Sequence, residues 1–169
     1  MVRQRHTPGS IIEIGIEGQY YVYAQLLEHG SIAVLDYRSN EHLQDMSVLN
    51  TADVLFIVGV YTDIVSTGHW LKVGKLPIRE ELQTLPLLFI YDTIGHRFKH
   101  YNPNTGEITP STREECRGLE CAAAWDSNHV EDRIRDYYAG VPNVWVNSLN
   151  RHFLADEEYE RKHAAERPQ

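Results

Sequence analysis

Two cysteines in 169 residues, no long apolar run and a deficit of basic side chains exclude several classes of protein at once. Cys116 and Cys121 cannot build a disulfide framework, and their five-residue spacing matches no standard zinc pair. They read as reduced thiols of a cytoplasmic protein. No stretch approaches the roughly 18 consecutive apolar residues that a membrane span requires. The first apolar run, Ile11 to Ile16, is too short and too charged for the hydrophobic part of a signal peptide, so neither a membrane partner nor export is expected. Sixteen Lys and Arg stand against 24 Asp and Glu, a net charge of −8. That balance argues against a nucleic-acid partner, whose phosphates call for a basic stripe.

What is present suffices for one hydrophobic core. Apolar residues make up 42 % of the chain, and 10 Tyr, 4 Phe and 3 Trp are spread along it. A soluble chain near this length removes roughly 68–70 % of its unfolded surface from water. The first third alternates β-type runs with glycine turns: Ser10 to Ile16, Gln19 to Glu28 and Ser31 to Tyr37, separated by Glu17-Gly18 and His29-Gly30. This predicts a three-stranded meander with tight hairpins, since a Gly at the second loop position accepts positive φ. Neither face of the middle strand is solvent-like, which suits a curled sheet or small barrel covered on its outside. Residues 38–51 read as one or two loose helical turns, and Ala52 to Tyr61 and Leu87 to Tyr91 as further strands. Residues 62–85 read as connecting structure with a short helix, and a hairpin is expected around Asn102 to Gly106.

The last third changes character. Thr112-Arg-Glu-Glu115 is a capping box, and Asn128-His-Val-Glu131 offers a second helix start. Val130, Ile134, Tyr137 and Tyr138 recur at helical spacing, and Gly140 with Pro142 makes a stop. Helices are therefore expected at about 112–124 and 128–139. The fold class that follows is α+β, a strongly curved, mainly antiparallel sheet packed against C-terminal helices, with both an open sheet and a barrel-like one compatible with the pattern. One domain is expected over residues 1–150, and the charged tail 151–169 reads as a frayed helix or a disordered end.

Several catalytic patterns fail on their spacing. Gly68 to Leu76 has five residues between its glycines, where a phosphate-binding loop has four, and Leu76 where such a loop needs Ser or Thr. His96 and His100 have the spacing of a helical zinc pair but sit in a strand-like segment, where four residues span roughly 13 Å. No catalytic, metal or cofactor residues are assigned. Asp132 and Asp136 share one helix face opposite Val130, Ile134 and Tyr137, and Glu131 is placed to pair with Arg135. Trp125 and Trp145 bracket this helix.

Gly118-Leu-Glu-Cys-Ala-Ala-Ala-Trp125 and the run His129 to Val146, with its Arg133, Gly140, Pro142 and Trp145, resemble the immunity protein 26 family. The likeness extends to Pro8-Gly9-x-Ile-Ile12-x-Ile14, to the Tyr-rich strand through Gln25-Leu-Leu27 and, more weakly, to Ser66-Thr-Gly-His-Trp70, and it spans Pro8 to Leu149. The resemblance implies a cytoplasmic immunity protein of a bacterial polymorphic-toxin system that binds and neutralises a cognate toxin domain. It carries over no catalytic residues and implies no cofactor. An acidic protein meets a basic partner faster, which fits a basic toxin. The expected contact face is acidic and aromatic and includes Trp125, Asp132 and Asp136. A small metal-dependent hydrolase and an adaptor for another cellular protein stay open beside it. The charge gives no direction by itself: residues 1–85 hold 6 bases and 10 acids, residues 86–169 hold 10 and 14.

Overall fold

The computed structural model of the chain describes residues 2–164 and Glu166. In chain order the strands are β1 (Ser10–Ile16), β2 (Tyr20–Leu26), β3 (Ser31–Ser39), β4 (Val54–Val60), β5 (Leu71–Lys75), β6 (Leu88–Asp92), β7 (Arg97–Tyr101), β8 (Ile108–Pro110) and β9 (Ala124–Trp125). The helices are α1 (Thr62–Ser66), α2 (Arg113–Cys116), α3 (Ser127–Ala139) and α4 (Val144–Lys162). The chain is α+β and divides into two compact units, Met1–Leu85 with Ala123–Val141 and Pro86–Ala122 with Pro142–Gln169.

The first unit is built on a six-stranded sheet in the order β5-β1-β2-β3-β4-β9, antiparallel except for the β4–β9 pair. It is open and does not close into a barrel, one of the two forms that the covered middle strand suits. Both hairpins of the meander form where the sequence places them. Glu17 and Gly18 have φ of 51° and 69°, and His29 and Gly30 have 56° and 71°, the left-handed values these turns demand. Both faces of the meander are covered, as the composition of β2 requires. One cluster on one side of the meander holds Ile11, Tyr23, Leu35 and Leu49, and Met46 and Leu43 help to close it; the helical turns expected in residues 38–51 form over Met46–Thr51 as a 3-10 helix that carries Leu49. The other side carries fully buried Ile12, Ile14, Val22, Ala24 and Ile32, and α3 lies against β1 with Val130 and Ile134 buried.

α3 starts at Ser127, one residue before the expected 128, and its N-cap is Asp126, two residues before the Asn128 of the box; Gly140 ends it with φ 68°. β5 falls in a segment expected to be connecting structure. Its neighbour β1 is its single strand partner, and Leu71, Val73 and Lys75 are exposed along it.

In the second unit β6, β7 and β8 form a separate three-stranded antiparallel sheet. Phe89, Phe98, Cys116 and Phe153 make its core, and the Phe153 ring meets Phe89 and Phe98 at 5.0 Å each. The helix expected over 112–124 shrinks to the single turn of α2. Thr112 caps it by accepting from Glu115 N at 3.1 Å, but Gly118 turns left-handed at φ 82°. The chain then runs alongside β6, with Phe89 N donating to Glu120 O and Ala122 N to Phe89 O, so these amides are spent on a bridge and leave no helical ladder. Of the frayed helix or disordered end expected from 151, a helix is what forms: α4 is continuous to Lys162, started by the Asn143 side chain accepting from Val146 N and anchored by buried Phe153 and Asp156. Ala165 and residues 167–169 of that expected tail lie outside the described residues.

Candidate functional site

The three residues singled out in the sequence fall in different environments. Trp125 is 4 % exposed on β9, and the Arg133 guanidinium lies over its ring at 5.2 Å and over Phe56 at 3.9 Å. Asp136 is buried, receiving Arg135 Nε and Nη2 at 3.1 and 3.0 Å, and Asp132 is half-buried, receiving Arg135 Nη1 at 2.8 Å. The helix thus brings the two carboxylates together around one arginine, while Trp125 packs in the core. Arg135 also reaches Glu17 in the β1–β2 turn at 3.4 Å. Its expected partner, Glu131, is engaged elsewhere, accepting from the Trp70 indole at 2.9 Å. Tyr137, expected on the buried stripe, is 53 % exposed. Trp145 is half-buried on α4 in the second unit.

A bulge builds the rest of this surface. Val22 pairs with Arg38 and Ala24 with Val34, so residues 35–37 of β3 stand opposite Tyr23 alone. The bulge keeps Leu35 in the core cluster and sets Arg38 across from Val22, beside Tyr20 and on the side of the sheet that faces α3. There the Arg38 guanidinium lies 5.2 Å from the Tyr20 ring centre and 4.8 Å from that of Tyr138, and these two rings meet edge to face at 5.8 Å. Tyr137 packs edge to face on Tyr138 at 5.2 Å. Tyr138 donates its hydroxyl to Asp36 Oδ1 at 2.8 Å.

Burial first, then the Asp36 hydrogen bond and charge, pushes the Tyr138 phenol well above its ordinary value. Burial also raises Tyr20, against the opposing pull of Arg38. Both phenols therefore stay neutral donors at any physiological pH. Tyr and Arg are the side chains that most often dominate protein interfaces, because they cover large areas with few rotatable bonds. Here three tyrosines and two arginines are already held in place by one another and by Glu17, Asp36, Asp132 and Asp136. None of Tyr20, Arg38 or Arg135 was identified as a site residue in the sequence. The exposed Tyr137 was the available signal, hidden because Tyr137-Tyr138 fits an apolar stripe equally well.

Little here is arranged for covalent chemistry. Cys116 is fully buried, and burial raises its thiol. Burial, with a smaller push from Glu120, raises Cys121 to about 11, so neither is an activated thiolate. His100 bonds Ser111 Oγ at 3.0 Å, and His96 stacks on Tyr159 at 3.6 Å. Among the described residues no three His, Cys, Asp or Glu side chains are grouped to hold a metal ion. The second unit has a recess of about 710 Å³ lined by His96, Lys99, Arg113, Asp156 and Tyr159 among others. Two of its acids are matched to its arginine: Arg113 Nη1 bonds Asp156 at 3.0 Å and Glu160 at 2.8 Å. No helix among the described residues is long and apolar enough to cross a membrane.

No curated protein and no solved structure matches the chain. Residues 7–100 match the family described as Immunity protein 26. The opening meander and the Ser66 to Trp70 segment lie inside that match, and the helical run from Gly118 to Val146 lies outside it. The matched residues make up more than half of the chain, which belongs to the immunity protein 26 family.

Proposed function

We propose that this immunity protein neutralises a cognate toxin domain by binding it, without catalysis, in the cytoplasm of the cell that makes the toxin. The contact face is the tyrosine surface of the first unit, with Tyr137 at its exposed centre and the Asp132–Arg135–Asp136 cluster at its side. The observation that carries this reading is the ordered Tyr20–Tyr138–Tyr137 array, a large amphipathic area whose conformational entropy is already lost before binding. Charge distribution supports it. The first unit has 8 basic and 14 acidic residues, the second 8 and 10, so most of the negative charge belongs to the unit that carries the tyrosines. Such a field favours approach of a basic toxin domain.

The test is co-expression with a candidate toxin domain, the variable C-terminal domain of a large secreted protein where the genome encodes one beside this gene. The wild-type chain should restore growth, and Tyr137→Ala combined with Asp132→Lys should lose protection while keeping its thermal unfolding midpoint. Full protection by that double variant overturns the assignment of this face, and failure of the wild-type chain to protect overturns neutralisation of that toxin.

A further inference from the structure

Arg38 differs from its neighbours in lacking an acidic partner. Arg135 is occupied by Glu17, Asp132 and Asp136. Among the described residues no carboxylate forms an ion pair with Arg38, which is held by the Tyr20 and Tyr138 rings. Stacking fixes the plane of a guanidinium and leaves its N–H edge for a ligand, and that edge matches the two oxygens of a carboxylate. Beside it lies an open recess of about 530 Å³ lined by Gln19, Tyr20, Arg38 and Asn40. This lining is one cation, two amides and a phenol. The acids close by are engaged elsewhere: Asp36 accepts from Tyr138, and Glu17 meets Arg135.

We infer that this recess receives an acidic side chain, Asp or Glu, from the protein that docks on the tyrosine surface, an inference that rests on that surface being the contact face. Solvation and charge both select the occupant. The recess is wide and formed by four residues, so a free acid is held there only weakly, at high concentration, because an exposed ion pair gains little in water. A side chain delivered by a docked protein is desolvated by the surrounding contact, where a bidentate Arg–carboxylate pair becomes strong. The acidic surroundings also favour a singly charged carboxylate over a doubly charged phosphate, since Glu17 and Asp36 lie on the turn and strand that bear Gln19 and Arg38. A basic toxin would thus place one acid at this point, which fixes the register of docking.

The experiment has two arms. In the first, the Arg38 Nε–H signal of the wild-type chain is followed by NMR during titration with sodium acetate and then with inorganic phosphate, ionic strength being held constant with chloride. Acetate should move the signal and the Tyr20 and Tyr138 ring resonances beyond the chloride effect, and phosphate should move them no further. In the second, Arg38→Lys, which keeps the charge but not the fork, should weaken binding of the toxin domain that the wild-type chain neutralises about tenfold, with thermal unfolding unchanged. No response to acetate, a stronger response to phosphate, or full toxin affinity in Arg38→Lys each overturns the inference. A toxin domain that does not bind the wild-type chain at all refutes the neutralisation reading instead, and with it the identity of the occupant, while the acetate arm still decides whether the recess takes a carboxylate.

Discussion

Glu131 on α3 accepts the indole N–H of Trp70 at 2.9 Å, and the same Oε1 lies 3.0 Å from His69 Nε2. Trp70 is 1 % exposed, so its N–H has no water to turn to if the carboxylate is removed. Glu131→Ala should therefore cost about 1–3 kcal/mol, the penalty of a stranded buried donor together with the lost bond. Glu131→Gln keeps a carbonyl oxygen in place and should cost less than half as much. Urea denaturation checks this: the midpoint should fall for Ala far more than for Gln, with an unchanged slope.

In the second unit Arg113 holds together carboxylates from two helices. Asp156 is 7 % exposed and takes Arg113 Nη1 as well as the Tyr91 hydroxyl at 3.2 Å. Arg113→Met leaves that buried charge with a phenol alone and should destabilise by about 1–3 kcal/mol, held down by the solvent that reaches the Glu160 side of the cluster. Adding Asp156→Asn should recover most of the loss. Equal stability of the single and double variants, measured by denaturant midpoint, would show that Asp156 is not the group that needs Arg113.

His152 gives this unit a dependence on acid. Burial, and then the neighbouring Arg151, holds its imidazole below the ordinary 6.5. The native state disfavours the charged form, so below that value the unfolded chain binds more protons. The contribution to stability is complete above about pH 6.5 and is lost as the pH falls through the lower native value. The wild-type thermal midpoint should therefore drop more steeply from about pH 7 to about pH 5 than that of His152→Gln, which has no proton to gain.

The parts of the fold that depend on neighbours in sequence were legible, and the parts that depend on distant partners were not. Glu17-Gly18, His29-Gly30 and Gly140 announce left-handed backbone, and each turn or helix end stands where they place it. α2 fails as a long helix because residues 120–122 bond to Phe89, some 30 residues away, a competition invisible in the capping box. α4 hides behind its charge. Its helical face is set by Trp145, Leu149, Phe153 and Asp156, and a buried aspartate reads as a solvent position until Arg113 is brought to it. The same holds for the candidate site. Tyr20, Arg38 and Tyr138 come from β2, β3 and α3, and Arg38 joins them through a β-bulge that no spacing rule announces.

The exposed edge of β5 is guarded by a side chain from outside the sheet. An open strand edge invites pairing with another chain, and Leu71 and Val73 make this one apolar. The Gln4 side chain occupies it in the manner of a short strand. Its Oε1 accepts from Lys72 N at 2.9 Å, and its Nε2 donates to Trp70 O at 2.8 Å and Val65 O at 2.9 Å. Gln4 thereby satisfies both a donor and an acceptor of the edge. Gln4→Ala should release these backbone groups, lower stability by about 1–2 kcal/mol and make the chain self-associate. Gln4→Glu keeps the acceptor for Lys72 N but loses the amide donor and sets a charge against two carbonyls, so it should destabilise without promoting association, because the added charge repels a second edge. Light scattering against protein concentration separates the two effects: a Gln4→Ala chain that stays monomeric at high concentration would show that the edge is guarded by something other than this amide.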